Sequence, residues 1–144
     1  MDYMMEYQRW LDSGALDAQE TAELEAVKGN NEEIESRFFA PLSFGTAGLR
    51  GVLGVGLNRM NRFTVGQAAQ GLANLVVSNG QAAMDRGVAI AYDSRHYSPE
   101  FAKQSACILA ANGIKALLFD ELRPTPELSF AVRHYGCIAG INIT

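Results

Sequence analysis

Val88-Ala89-Ile90-Ala91-Tyr92, closed by Asp93, is an unbroken apolar run about one strand long. No charge alternates within it, so it reads as a strand covered on both faces. On its C-terminal side, Ser98-Pro99-Glu100 offers a helix N-cap followed by proline at the first helical position. That helix is expected to run to Asn112 and stop at Gly113. Ile114 to Phe119 follows as a strand, Thr125-Pro126-Glu127 opens another capped helix closed by Gly136, and Cys137 to Ile143 forms a last strand. On its N-terminal side, Thr64 is expected to cap a long helix with Val65, Ala68, Ala69, Leu72, Leu75 and Val76 on its inner face. A glycine-rich loop before that helix leads into a strand near 50–57. The resulting order, β-α-β-α-β-α-β, predicts a three-layer α/β/α fold with a four-stranded, largely parallel (mixed) sheet.

Residues 1–43 read differently, as a helical extension ahead of a 44–144 domain. Tyr3, Tyr7, Trp10 and Leu11 recur at spacings of three and four, the stripe of an amphipathic helix. Asp17 with Glu20 makes a capping box for a second helix, which Gly29 stops. Asn31 is expected to cap a third, from Glu32 to about Phe39, with Pro41 ending it.

The chain has 144 residues, 48% of them apolar and 19% charged, with a net charge of −4. That composition suits one soluble globular domain with no need of a metal or disulfide staple. No apolar stretch reaches the ~20 residues of a membrane helix. The opening Met1 to Glu6 has no basic region leading into an apolar core, which argues against a secretory signal. Cys107 and Cys137 both lie in apolar sequence, as buried free thiols do, and a reducing cytoplasm is the natural setting.

Charge is unevenly spread. Residues 1–36 hold ten acids against Arg9 and Lys28, and the remainder carries a net +4 that includes Arg50, Arg59, Arg62, Arg95, Arg123 and Arg133. A mildly basic body suits small anionic ligands such as phosphates. It has no Lys-rich tract of the kind that binds nucleic acid.

The local motif with the most chemistry is Phe44-Gly45-Thr46-Ala47-Gly48-Leu49-Arg50-Gly51. Its glycines let backbone amides approach an anion, and Arg50 supplies a two-pronged donor suited to phosphate. The spacing is neither a Walker A loop nor a dinucleotide fingerprint, and a plain glycine-rich turn into a packed strand accounts for it equally well. Asp93-Ser94-Arg95-His96 falls at the carboxyl end of a strand, where ligands of open α/β sheets collect; Asp93 and Arg95 pairing to hold the loop is the plainer reading. His96 and His134 receive no chemistry, and Arg123-Pro124-Thr125-Pro126 reads as a stiffened strand-to-helix turn. No zinc spacing and no acid/base pair is present.

These motifs together resemble the α-D-phosphohexomutases, the phosphoglucomutase/phosphomannomutase family. Phe44 to Gly51 is similar to the first active-site loop of that family. Further stretches match in order: Asn58-Arg59-Met60-Asn61 with Thr64-Val65, Tyr92 to His96, Glu121 to Arg133, and Ala139-Gly140-Ile141-Asn142-Ile143-Thr144. Residues 1–43, notably Trp10-Leu11 and Glu32 to Phe38, resemble the N-terminal extension of the phosphoglucomutase and phosphopentomutase branch.

The resemblance implies an isomerase that moves a phosphoryl group between two hydroxyls of one hexose or pentose, through a phosphoserine and a sugar bisphosphate. In the family the last motif continues Thr-Ala-Ser-His-Asn-Pro, and its serine is the nucleophile; the 144 residues stop two positions before it. The resemblance therefore implies the first domain of a larger mutase, incomplete at its C-terminal end and inactive alone. The Mg²⁺ loop and sugar-selecting loops belong to other domains of the same chain, so no metal is expected on this fragment. Arg50 is the site residue it implies here, contacting the transferring phosphoryl group and the substrate. The implied partners are a phosphosugar, a sugar bisphosphate activator and the missing domains, with no nucleic acid and no membrane. From the residues alone, two other readings stand: a free-standing module binding a phosphorylated metabolite, and a structural or self-associating fragment.

Overall fold

In a computed structural model, residues 2–144 are described, and they divide into two compact units, Met1–Thr64 and Val65–Thr144. In the first unit, three helices surround one apolar centre: α1 (Tyr3–Asp12), α2 (Ala18–Ala26) and α3 (Asn31–Phe38). Asp2 caps α1, and Asp17 and Glu20 form the expected capping box on α2. The cap of α3 is Asn30 rather than Asn31, because the Asn30 side chain accepts from the Glu33 N–H. Tyr7, Leu24, Ile34, Phe38 and Val55 form the buried centre. Phe38 is fully buried at its middle, with the Tyr7 and Trp10 rings edge-on to it at 5.9 and 5.6 Å. The phenol of Tyr7 donates to the Leu24 carbonyl, and burial pushes its pKa up. The stripe read from the sequence is thus the face that α1 buries.

After α3 the glycine-rich stretch forms a hairpin, β1 (Phe44–Gly45) antiparallel to β2 (Gly48–Leu49). The strand expected near 50–57 does not form. Gly54 and Gly56 take φ of +146° and +141°, backbone that breaks a strand ladder, and Leu53–Met60 is the isolated bridge across the resulting loop. Helix α4 (Arg62–Ser78) follows. Its cap is Asn61, whose Oδ1 accepts from the Phe63 and Thr64 N–H groups at 3.0 Å each. Thr64, expected to be that cap, instead returns its hydroxyl as acceptor to the Asn61 N–H.

The second unit contains the sheet. Helix α5 (Gln81–Arg86) leads into β3 (Val88–Tyr92), followed by α6 (Ser98–Ala111), β4 (Ala116–Leu118), α7 (Thr125–His134) and β5 (Ala139–Ile143). The strand order is β4-β3-β5, all parallel. The sheet therefore has three strands, not four, and is not mixed; the antiparallel pair is the separate hairpin.

Two-sided burial of β3 explains its composition. Val88 and Ile90 face a core made with Ala73 and Val76 of α4 and Ala102 and Leu109 of α6. Ala89 and Ala91 face the other way, onto Leu128 of α7 and Cys137. Alanines on that side let α7 lie close, and a Cβ on Gly140 would come within 2.8 Å of Val132 Cγ2. The layers are thus helix, sheet, helix. On α4 the inner face holds Ala73 in place of the expected Leu75, which is 61% exposed. Cys137 is buried as expected, Cys107 is exposed, and both are free. Among the described residues no helix is long and apolar enough to cross a membrane.

Ile90→Ala empties a fully buried position on the central strand, so it should cost about 2–5 kcal/mol in urea unfolding. Leu75→Ala, on the open side of α4, should stay within about 0.5 kcal/mol of the parent. Equal costs for the two would contradict this assignment of faces.

Candidate phosphate-facing arginine loop

Six arginines were candidates for anion contact, and their environments separate them. Arg59 is buried, at 8% exposure. Its Nη1 donates to the Ser36 and Asn58 carbonyls, and its Nη2 to Ser36 Oγ at 2.9 Å and Glu33 Oε1 at 3.5 Å. It is a structural cation with its donors engaged. Arg62 forms a two-pronged pair with Glu20, both contacts at 2.7 Å, while lying over the Phe63 ring. Arg123 lies between Glu121 and Glu127, at 3.1 and 3.3 Å. Arg95 sits 3.7 Å from Asp93. Arg133 is exposed on the last turn of α7.

Arg50 stands apart from the paired cations. It is exposed, directly after β2, and makes no hydrogen bond or ion pair with any described residue. The hairpin that carries it presents Gly45, Thr46 and Ala47 to solvent, with Phe44 70% exposed at its start. Gly48 takes φ +107°, a backbone that side chains rarely adopt, and it makes the tight return possible. A Cβ on Gly51 would meet Leu42 Cδ2 at 2.9 Å, so glycine there lets the segment after Arg50 lie against the chain before the hairpin. An unpaired guanidinium on a glycine hairpin can offer its two-pronged donor to a carboxylate or a phosphate.

The loop between the hairpin and α4 is held by a nearly buried guanidinium. Arg37 of α3 is nearly buried and donates to Glu23 Oε1 at 2.6 Å, Glu33 Oε1 at 2.8 Å and the Val55 carbonyl at 2.8 Å. Glu23 Oε1 also accepts from the Val55 N–H. Asn61 Nδ2 gathers the Gly54, Gly56 and Arg59 carbonyls, and Asn58 donates to the Ala40 carbonyl. Burial alone would lower the Arg37 pKa, but its hydrogen bonds to Glu23 and Glu33 outweigh that and raise it. Hydrogen bonding from Arg37 holds Glu33 below the ordinary carboxylate value, and Arg62 does the same for Glu20. The available signal for Arg37 was its spacing of four from Glu33 on a helix.

At the carboxyl end of the sheet the plainer reading of Asp93 holds. Its Oδ1 accepts from the Arg95 N–H and from Ser98 Oγ, each at 3.0 Å, and its Oδ2 accepts from Thr144 Oγ1. Burial pushes its carboxyl up, while the bonds from Thr144, Arg95 and Ser98 pull it down further, so its pKa lies below the ordinary value. Ser98 is therefore not the helix cap: Tyr97 holds that place, at φ +65°, and the Ser98 hydroxyl goes to Asp93. Pro124 holds the corresponding place on α7, and Thr125 Oγ1 accepts from Asn142. His96 is an exposed loop residue, and the ring of His134 stacks on Phe130 at 5.2 Å. A cleft of about 620 Å³ lies beside β4 and α7, lined by Leu118, Phe130, His134 and Tyr135 among others, with Arg123 already paired at its rim. Among the described residues no group of three or more His, Cys, Asp or Glu could hold a metal ion.

The class defined here is an α/β protein with a three-layer α/β/α unit, preceded in the chain by a helical unit that has an exposed arginine on a glycine hairpin. Residues 41–144 match the family model described as phosphoglucomutase/phosphomannomutase, alpha/beta/alpha domain I, and the chain belongs to that family. It is 47% identical over 114 residues to a phosphoglucomutase of Staphylococcus epidermidis, covering 79% of this chain and 20% of that protein. It is 46% identical over 114 residues to a phosphoglucomutase of Staphylococcus aureus, covering 78% and 20%. With a human phosphopentomutase it shares 38% identity over 132 residues, covering 84% and 22%. The chain thus spans about a fifth of the length of the curated relatives it matches. No solved structure matches it.

Glu20 and Glu33 have folded pKa values below the ordinary 4.5. Their stabilisation is therefore present above that value and is lost as pH falls through the lowered ones. Urea unfolding should show stability dropping as pH falls below about 4.5, and Arg62→Leu should remove the share of Glu20 from that drop. An unchanged pH dependence in Arg62→Leu would contradict the pairing.

Proposed function

We propose that these 144 residues are the arginine-bearing domain of a phosphosugar mutase, an isomerase that interconverts a hexose or pentose 1-phosphate with the 6- or 5-phosphate. The observation that carries the reading is Arg50, unpaired and exposed on its glycine hairpin in a chain of this family. Residues 1–43 act as a helical extension to a domain spanning 44–144, and the whole protein works in the cytoplasm.

The reaction divides into two phosphoryl transfers through a covalent intermediate. A sugar hydroxyl oxygen attacks the phosphorus of a phosphoserine, the P–O bond to serine breaks, and the serine oxygen leaves. The bisphosphate so formed turns over, and the serine oxygen attacks its other phosphoryl group. The phosphoenzyme is restored and the isomerised monophosphate leaves. A free sugar bisphosphate primes the enzyme by the same transfer. In this scheme the serine belongs to the segment following Thr144 in the whole protein, and domains beyond these residues select the sugar.

Arg50 meets the charge that spreads over the equatorial oxygens of the transferring group. Its planar fork suits two of those oxygens at once, which a lysine ammonium does not. Mg²⁺ supplies further charge neutralisation when bound to the whole protein. The carboxylates described here do not form a site for it, since Glu20, Glu23, Glu33 and Asp93 each serve hydrogen bonds within the fold. The chemistry assigned to this chain's own residues is orientation and charge stabilisation.

In the full-length protein, conversion of glucose 1-phosphate to glucose 6-phosphate should require a sugar bisphosphate, and Arg50→Ala should lower kcat on the order of 10²–10³-fold. Arg50→Lys should recover only part of that loss. The 144 residues alone should not turn over. An unchanged rate in Arg50→Ala would remove Arg50 from the chemistry, and turnover by the 144 residues alone would contradict the domain assignment.

A further inference from the structure

The backbone that follows Arg50 has little of its own to hold it. Gly51, Val52 and Leu53 are all exposed, so they bury no side chain that would anchor them. Their path is set from Met60 instead. The Met60 N–H donates to the Val52 carbonyl at 2.8 Å, and its carbonyl accepts from the Gly54 N–H at 3.2 Å. A Cβ on Gly51 would lie 3.4 Å from Met60 Cγ, so the residue next to Arg50 packs beside the same side chain. Met60 is in turn placed by Arg59, one of the two buried polar residues that flank it. The Arg59 guanidinium reaches the last turn of α3, where its Nη1 donates to the Ser36 carbonyl at 3.0 Å and its Nη2 to Ser36 Oγ at 2.9 Å. The Asn58 N–H donates to the Arg37 carbonyl on the same turn at 2.7 Å. Carbonyls in the last turn of a helix lack helical partners, and water can serve them where they face solvent. Ser36 is exposed. Capping α3 therefore does not require a cation buried to 8% exposure, whose desolvation is costly. What the buried guanidinium adds is a rigid link from α3 to the bridge that holds Val52.

We infer that Arg59 is a positioning residue, which through Met60 fixes where Arg50 stands on its hairpin. This rests on the mutase reading, in which Arg50 meets the transferring phosphoryl group. A guanidinium that stabilises spreading charge must be in place before the charge develops, because reorienting it in the transition state costs rate. Misplacement on the order of 1 Å can lower a rate about a hundredfold. Arg59 itself keeps its donors inside the fold, on Ser36, Asn58 and Glu33. Its effect passes through Arg50, so it bears on kcat rather than on KM.

The test uses the full-length protein with glucose 1-phosphate and glucose 1,6-bisphosphate. Arg59→Lys is the principal variant, because it keeps the charge and loses the planar fork that spans the two Ser36 acceptors. It should lower kcat on the order of tenfold per folded molecule, with KM for glucose 1-phosphate little changed. In an Arg50→Ala background the same change should cost no more than about twofold further, since the group it positions is gone. Amide exchange should quicken at Gly54 and Met60 in Arg59→Lys and stay unchanged in β3 and β4. Normal kcat in Arg59→Lys, or an equal loss with and without Arg50, would overturn the inference while leaving the mutase reading intact. Should Arg59→Lys not fold, Ser36→Ala removes one exposed acceptor of the same guanidinium. A smaller loss of kcat there, restored by Ser36→Thr, supports the inference, and an unchanged kcat overturns it. If the unmutated protein shows no sugar-phosphate turnover, the mutase reading fails instead. The exchange comparison then decides the link by itself: unchanged exchange at Gly54 and Met60 overturns it, and local quickening supports it.

Discussion

A guanidinium taken out of water must be given partners, and in residues 2–64 that requirement shapes the loop ahead of α4. Arg37 is nearly buried, and it is satisfied only because Glu23, Glu33 and the Val55 carbonyl converge on it. That convergence needs Gly54 and Gly56. A Cβ on Gly54 would come 2.8 Å from Glu23 Oε1, and one on Gly56 would come 2.9 Å from Arg37 Cβ. Charge pairing, glycine placement and the Asn61 side chain therefore specify one loop conformation together. Arg59 and Arg62 are tied up in the same scaffold. Arg50, in the hairpin between α3 and this loop, is exposed and has none of those partners.

The second unit rests on the two-sided burial of β3. Large β-branched residues toward α4 and α6 and alanines toward α7 make the sheet asymmetric in thickness, and α7 lies close. All three strands point the same way, so the loops after β3 and β4 and the end of β5 lie at one end of the sheet. Open parallel sheets bind their ligands there. Asp93 sits at that end, where one carboxylate joins the β3 loop, the first residue of α6 and the exit of β5.

Much of this was legible in the residues. Val88 to Tyr92 could only be a buried strand, the pairing of Asp17 with Glu20 named its own helix, and the Tyr3-Tyr7-Trp10-Leu11 stripe pointed inward as read. Where the reading slipped, tertiary contacts had overruled a local rule. Ser98 and Thr125 look like helix caps, yet the hydroxyl of one goes to Asp93 and that of the other receives Asn142. Leu75 fits the helical period but sits at its edge, and the small Ala73 takes the core position. Helix α5 is six residues between Gly80 and Gly87, too short to show a period. Gly87 there takes φ +79° and would meet the Lys115 carbonyl 2.4 Å from an added Cβ, a constraint no local pattern reveals. The glycine hairpin stood out in the sequence by its resemblance to a family motif, as a candidate for phosphate. That Arg50 alone among the loop's neighbouring arginines stays unpaired required knowing where every carboxylate goes.

The most direct measurement is to load the full-length protein with radiolabelled glucose 1,6-bisphosphate, digest it, and locate the label. The account predicts a single phosphoryl group on a serine in the peptide that begins within β5 and continues past Thr144. Label on any other residue, or no covalent label in a protein that still isomerises sugar phosphates, would contradict it.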